Sequence, residues 1–310
     1  MAGRSGVAVV GSINADLTVF GSPLPRPGET VSAQRFSLVL GGKGANQAVA
    51  AVRAGAPTFM VGAVGDDLFR GLTLEALVGE GVDTSAVQVV EAATGIAHIR
   101  VDSRTGQNDI AIVAGANDVL TADAVEAALR ERRGHLEVVL TQLETPIAVL
   151  ERTAAVCAAL GLTLVLDPAP AQALPATVWS HVAIVTPNET EAEVLTGCPV
   201  DSDEGLEQAA QWFLDRGVRT VIITLAARGA FVMDAHGGVL HPAFPIAPVD
   251  TTAAGDAFAG MLGASLAAGV GLDEAVRRGL AAGALAATVS GASPSLPTAA
   301  AVEDFLATHT

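Results

Sequence analysis

The sequence predicts an α/β domain, with a mostly parallel central sheet covered on both faces by helices and a small β appendage. Three observations predict it. Short β-rich runs alternate with Ala-rich helical patterns for most of the length. Those runs are continuously apolar, as in sheets buried on both faces, and do not alternate as half-solvated strands do. Two regions, 16–40 and 84–113, break the rhythm with shorter, more polar strand patterns and the turn signals PLPRPGET and DSRTGQND, as expected of a small antiparallel excursion.

In order, VAVVG at 7–11 opens the sheet, and after the first excursion GGKGANQAVAAVRAG enters a helix over 46–54. TFMVGAVG at 58–65 is the next strand, followed by a helix over 68–79 and the second excursion. VVLTQL at 138–143, LTLVLDP at 162–168, VAIVTP at 182–187 and VIITL at 221–225 continue the sheet, interleaved with helices over 146–160, 188–196 and 203–216. His236 and His241 flank Gly237 and Gly238, which read as a solvated hairpin turn. From Ala253 to Gly291 the chain is almost wholly helical. Ala257–Leu272 is the longest apolar stretch, with only Ser265 polar, but it falls short of the ~18 residues of a membrane span and is built of Ala and Gly, so it reads as a buried core helix. No repeat, charge block or low-complexity linker divides residues 1–310, which read as a single domain.

Composition excludes several functions. The chain has 310 residues with 17 Lys+Arg against 33 Asp+Glu, a net charge of −16, which argues against nucleic-acid partners and anionic membranes. Half of the residues are hydrophobic, yet aromatics are only 4%, Tyr is absent and Gly numbers 33, so the core is expected to consist of small side chains approaching closely. Cys157 and Cys198 form no CxxC and suggest a reducing, cytoplasmic setting. The N-terminus has a four-residue apolar run, VAVV, and lacks the longer hydrophobic region of a secretory signal. The six His residues show no metal-ligand spacing.

In open parallel sheets ligands bind where strands end at their carboxyl side, so polar residues there carry the functional reading. In APVDTTAAGDAFAG, 247–260, a small-residue loop leads into a helix, and the N–H groups of Ala253, Ala254 and Gly255 can hold an anion. Asp256 in the same turn would repel a phosphate. It makes sense if it takes a proton from a hydroxyl about to attack that phosphate, or else it is an ordinary first-turn carboxylate favoured by the helix dipole. GGKGANQ fails both common nucleotide-loop patterns; Lys43 and Asn46 could serve a polyhydroxylated ligand, or the glycines could simply make a tight turn. Asn14 and Asp16 point to one side at strand spacing and could pair with adjacent hydroxyls, or form an Asx turn. Asn188 and Glu191 in NETEAE match a capping box, and equally could hold water around Mg²⁺ on nucleotide phosphates. GDD at 65–67 reads as surface punctuation.

Taken together and in this order, GSINAD, PRPGET, GGKGANQAVAA, VAGAN, QLETP, DPAPA, TPNETEAEVLTG, TLAARGA, VDTTAAGDAFAG and SGASPSLP resemble the ribokinase family, within the PfkB-type carbohydrate kinases. The resemblance covers essentially the whole chain and implies a ribokinase-like three-layer sandwich. It implies that Asn14, Ala15, Asp16, Gly42, Lys43, Gly44, Ala45, Asn46 and Glu144 bind a sugar, and that Asp256 is general base on the terminal CH₂OH of D-ribose. The amides of Ala253, Ala254 and Gly255 would stabilise the phosphoryl group, giving D-ribose 5-phosphate. Thr224, Leu225, Ala226, Ala227, Arg228 and Gly229, with Asn188 and Gly255, would hold ATP. Asn188 and Glu191 would organise Mg²⁺ through water, and Asp250, Thr252, Ala286, Val289, Gly291 and Ser295 would hold a monovalent cation, commonly K⁺. The excursions 16–40 and 84–113 would form a lid that also makes a homodimer contact.

Three departures stand against the family pattern: Ala226 where glycine is usual, Leu280 where a polar residue often lies near the adenosine, and His98 with Arg100 in a commonly apolar lid strand. Alternatives remain a kinase of this group for another pentose, deoxyribose or a nucleoside. A sugar-binding regulator without catalysis is opposed by the intact Asp256, Gly255, Asn188 and Glu191. An NAD-dependent oxidoreductase lacks its glycine fingerprint after the first strand.

Overall fold

A computed structural model describes residues 5–309 of the chain; the other five positions, including the start and the last residue, lie outside that description. The chain runs β1 Gly6–Val10, β2 Asn14–Gly21, β3 Arg35–Gly41, α1 Lys43–Arg53, β4 Thr58–Gly65, α2 Leu68–Gly79, β5 Asp83–Val90, β6 Gly95–Asp102 and β7 Asn108–Val113. After a 3₁₀ turn at Gly115–Val119 follow α3 Ala122–Arg132, β8 Leu136–Thr141, α4 Ile147–Leu160, β9 Thr163–Leu166, α5 Ala176–Trp179, β10 Ile184–Val185, α6 Glu189–Thr196, α7 Asp203–Leu214 and β11 Thr220–Thr224. The last part holds a 3₁₀ turn at Ala226–Arg228, β12 Ala230–Asp234, β13 Gly237–His241, α8 Ala254–Ala267, α9 Leu272–Ala286, a third 3₁₀ turn at Ser293–Ser295 and α10 Ala299–Thr308.

A nine-stranded sheet has the order β13-β12-β11-β10-β9-β8-β1-β4-β5, parallel from β11 across to β5 and antiparallel only at the β12 and β13 edge. The apolar runs behave as their continuity predicts. In β1, Val7 and Val9 pack on one face with α1, α8 and α9, while Ala8 and Val10 pack on the other with α3, α4 and α7. The second layer is sealed by Trp179, Trp212 and Phe213 in edge-on contact. On the first, small residues set the spacing: a Cβ at Gly260 of α8 would overlap Ala50 and crowd the α1 backbone, and one at Gly263 would overlap Leu140. The two helices that carry the candidate site therefore lie backbone against backbone.

A separate four-stranded sheet has the order β3-β2-β6-β7. It corrects the expected appendage in two respects. Residues 83–90 belong to the large sheet, where β5 pairs parallel with β4 after the α2 crossover, so the second part of the appendage begins at Gly95. The small sheet is also mixed, because β2 and β6 run parallel between antiparallel flanks. Other boundaries moved for local reasons. Gly42, at φ 86°, turns β3 directly into α1, which starts at Lys43 and not at 46. Gly269, at φ 79°, ends the apolar helix, so that 253–291 forms two packed helices. The hairpin turns at 235–236, with Gly238 lying under the Phe231 ring. Among the described residues no helix is long and apolar enough to cross a membrane.

Candidate active site

The carboxyl end of β1 is where the polar residues gather. From Gly11 the chain passes through Ser12 into β2, where Asn14 and Asp16 share one face of the strand and are both buried, Asp16 toward Glu144 and Asp256. Ser12 Oγ donates to Glu144 Oε2 at 2.5 Å, and the same oxygen accepts the Lys43 backbone N–H at 3.0 Å. This pins the start of α1 to the end of β8. The glycines explain themselves by contact: a Cβ at Gly41 would overlap the Asp16 carboxylate, and one at Gly44 would overlap the Gly11–Ser12 backbone. Asp16 is left unusual. Its Oδ1 is buried and has no hydrogen-bond partner among the described residues, and burial, then Glu144 and Asp256, push its carboxyl up to about 7.

Asp256 sits in the first turn of α8, 5% exposed. Asn46 Nδ2 donates to its Oδ2 at 2.9 Å and Gln47 Nε2 to its Oδ1 at 3.1 Å. Burial raises its carboxyl to about 6 against the opposing pull of Lys43. The helix start carries no side-chain cap: Ala253 stands at the cap position with φ 59°, a left-handed conformation costly for a residue with a Cβ. The Ala254 N–H is engaged by the Thr251 carbonyl at 3.2 Å, so the three expected amides are not equally free. A Cβ at Gly255 would meet nothing within 4 Å, which marks open space over this turn.

Lys43 joins this centre from α1. Burial opposes its charge, but Asp167, Asp256, Glu144 and Glu191 together hold the ammonium well above its ordinary range, with Asp167 Oδ2 at 3.3 Å. Asp167, Gln47, Gln142, Ser12 and Asn117 were not singled out by sequence reasoning. Asn117 donates to Asn14 Oδ1 at 2.8 Å and accepts the Ile13 N–H at 2.9 Å, which orients Asn14. Asp67 of the dismissed GDD turn caps α2 through the N–H groups of Phe69 and Arg70, and accepts both the N–H and the hydroxyl of Thr94 at 2.7 and 2.8 Å, just before β6. It ties the small sheet to α2.

Across the cleft the capping box is real: Asn188 N–H donates to Glu191 Oε2 and Glu191 N–H to Asn188 Oδ1, both at 2.8 Å. Glu191 nonetheless faces the same centre, since burial and Asp167 raise its carboxyl. Asn188 also bridges Thr224 at the end of β11. From there Ala226–Arg228 make a 3₁₀ turn; Arg228 swings away to Glu189 and the Val200 carbonyl. Beyond Gly229 the chain packs on His241–Ala243, which with Phe244 and Leu280 line a groove of about 630 Å³ that the sequence did not reveal.

Asp250 binds the loops on either side of α8 and α9. Its Oδ1 accepts from the Thr252 N–H and hydroxyl at 3.0 and 2.6 Å, and its Oδ2 from the Gly291 N–H at 2.9 Å. Burial alone would raise its carboxyl, but these donors hold it below its ordinary value. Ala286 closes α9, Val289 and Gly291 lie in the loop after it, and Ser295 ends the 3₁₀ turn that follows. Among the described residues no group of three or more His, Cys, Asp or Glu could hold a metal by itself.

The model of the pfkB family carbohydrate kinases matches residues 4–299. The chain belongs to that family. This kinase is 39% identical to a ribokinase of Haemophilus influenzae, over 98% of this chain and 99% of that one, and 32% identical to a deoxyribokinase of Salmonella typhi, over 97% and 98%. It is also similar to the solved structure of Arabidopsis thaliana ribokinase complexed with ribose and ATP, with a TM-score of 0.89 and 34% identity over 98% of this chain and 99% of that one. The fold of the kinase is thus ribokinase-like, with a large, mostly parallel sheet and a separate smaller one. Its departures take physical form. Ala226 keeps φ 47° despite its Cβ. Leu280 puts an aliphatic face into the groove. Arg100 pairs across the strands with Asp109 through two hydrogen bonds of 2.6 and 2.8 Å.

Proposed function

We propose that this kinase transfers the γ-phosphoryl group of ATP to O5 of D-ribose, giving D-ribose 5-phosphate and ADP. One observation carries the reading: a nearly enclosed carboxylate, Asp256, is oriented by two amide donors directly beneath an uncapped helix start with open space above it. A carboxyl at about 6 is largely ionised at neutral pH and still basic enough to accept a proton. Asp256 takes the O5 proton as O5 attacks the γ-phosphorus and the bond to the β-phosphate oxygen breaks. The amides of Ala253 and Gly255, and that of Ala254 once it leaves the Thr251 carbonyl, would donate where charge gathers on the transferring group. The buried Oδ1 atoms of Asp16 and Asn46 lack partners among the described residues, and sugar hydroxyls are the donors that suit them. Asn14, Lys43 and Glu144 complete the sugar contacts, with the backbone of Ala15, Gly42, Gly44 and Ala45.

ATP lies along Asn188, Thr224–Gly229 and Gly255, with its base in the groove beside Leu280. Glu191 and Asn188 fit Mg²⁺ held through water, because Mg²⁺ keeps most of its waters and needs few carboxylates. When bound it would draw charge from the phosphates. The oxygens of Asp250, Thr252, Ala286, Val289, Gly291 and Ser295 are carboxylate, carbonyl and hydroxyl, a donor set that suits K⁺, whose charge would steady the turn leading into α8. The small sheet acts as a lid, and its exposed Phe36, Ile110, Ile112 and Val113 suit a homodimer contact. A cytoplasmic setting suits the two free thiols.

The deoxyribokinase relative favours a second reading, phosphorylation of 2-deoxyribose. ADP release measured over ribose, deoxyribose, other pentoses and nucleosides, with and without K⁺, decides between them. Ribose serving no better than the rest would overturn the first reading.

A further inference from the structure

Gln47 is 1% exposed on α1, and its side-chain nitrogen donates to two carboxylates at once, Asp167 Oδ2 at 2.9 Å and Asp256 Oδ1 at 3.1 Å. A primary amide has two N–H bonds, so one hydrogen serves each. The orientation is set from behind. Gln142, just past β8, donates its own Nε2 to Gln47 Oε1 at 2.6 Å. A flip of Gln47 would turn its oxygen toward two anions and set two NH₂ groups against each other.

We propose that Gln47 is a positioning residue for phosphoryl transfer: by spanning Asp167 and Asp256 it holds Asp256 ionised and aimed at the acceptor hydroxyl. The proposal rests on the reading of Asp256 as general base. Two carboxylates facing one buried space repel, and without donors between them one takes up a proton. The charged groups around Asp256 are Lys43 from α1, Asp167 after β9 and Asp16 from β2, with Glu144 after β8 and Glu191 from α6 acting on Asp16, Asp167 and Lys43. Lys43 favours the ionised form of Asp256 and the carboxylates oppose it. Asn46 covers the other oxygen of Asp256 and makes no contact with Asp167 to replace the bridge. When the Gln47 donors are lost, Asp167 keeps the Lys43 ammonium at 3.3 Å. Asp256 has no ammonium in ion-pair contact among the described residues, so the loss tips Asp256 toward its protonated, inactive form.

The test is the pH profile of kcat for wild type, Gln47→Met and Gln47→Glu between pH 5 and 9, with thermal melts to establish folding. With Asp256 at about 6, wild-type turnover falls on the acid side near that pH. Methionine keeps the volume and removes both donors. Its acid limb should move up by about one pH unit, so turnover drops about fivefold at pH 6 and less than about twofold at pH 8.5; glutamate should move the limb further. A folded Gln47→Met variant that loses turnover by one factor at every pH overturns the proposal. If that variant does not fold, Gln142→Met, which frees the Gln47 amide, should move the limb the same way, and an unmoved limb there overturns it equally. A wild-type enzyme without an acid limb, together with an active Asp256→Asn variant, would instead overturn the base reading itself.

Discussion

Replacing Asp16 by asparagine should stabilise the unliganded protein while crippling sugar use, and the size of the effect follows from the environment. The carboxyl is buried with one oxygen unpartnered, faces Glu144 and Asp256, and is raised from 3.8 to about 7. That difference corresponds to about 4 kcal/mol at most, of which relaxation and water entry leave about 1–2 kcal/mol. Its sign is fixed by linkage. The folded-state value lies above the unfolded one, so stability is complete below pH 3.8, falls as pH rises and reaches its lowest level once pH passes about 7. Asparagine carries no such penalty. At pH 8 the variant should melt about 2–5 °C above wild type, and at pH 5 only about 1 °C above it, in melts without ligand. The KM for sugar should meanwhile rise about 10- to 100-fold, the loss of a hydrogen bond to a charged group. A variant that melts below wild type at pH 8, or at the same interval above it at both pH values, refutes the reasoning.

Asp256→Asn should lower kcat by about 10²- to 10⁴-fold with sugar binding by calorimetry little changed, and near-normal turnover would remove Asp256 from the role of base. Gly260→Ala inserts a methyl where α8 meets Ala50 and the α1 backbone, and should cost about 1–3 kcal/mol in urea unfolding with a parallel loss of activity; an unchanged midpoint would mean that the helices separate freely. Ala226→Gly relieves a left-handed alanine at φ 47° but loosens the unfolded chain, so unfolding stability should rise by up to about 0.5–1 kcal/mol. A loss of stability in that variant would show that the Ala226 methyl makes packing worth more than its strain.

The strands and their helices were legible because buried parallel strands are continuously apolar, and β1 shows how both faces of such a strand are used. β5 was not, because DTSAVQVV is half-exposed at a sheet edge and reads like the strands of the appendage. Asn14, Asp16, Lys43, Asn46 and Asp256 stood out as polar residues beside glycines or at strand ends, and the structure brings them to one cleft. Gln47 and Gln142 hid inside apolar runs, and their partners lie 95 or more positions away in sequence, a separation that no local spacing reports. Asp67 was misjudged for a related reason: its cap is local, but its bonds to Thr94 exist only once β6 is placed. Ala226 was legible as a departure, and only the backbone could say that its left-handed conformation survives.

A chain of net charge −16 gathers Asp16, Glu144, Asp167, Glu191 and Asp256 around one ammonium, Lys43, beside the site proposed for an anionic nucleotide. Such a cluster is unfavourable unless something supplies donors and positive potential. Inside the protein, Gln47, Asn46 and Ser12 supply part of the donors, and the uncapped start of α8 supplies partial positive charge without adding a side chain. The rest is left undone: Asp16 and Asn46 keep buried oxygens without partners among the described residues. Natural sequences rarely retain unpaired buried acceptors unless a bound molecule completes them. On the proposed reading, sugar hydroxyls would complete both, and by donating to the buried Asp16 carboxylate would favour its ionised form. Substitutions that relieve the buried, unpartnered carboxylate of Asp16 should therefore stabilise the unliganded chain and weaken the proposed sugar contact together.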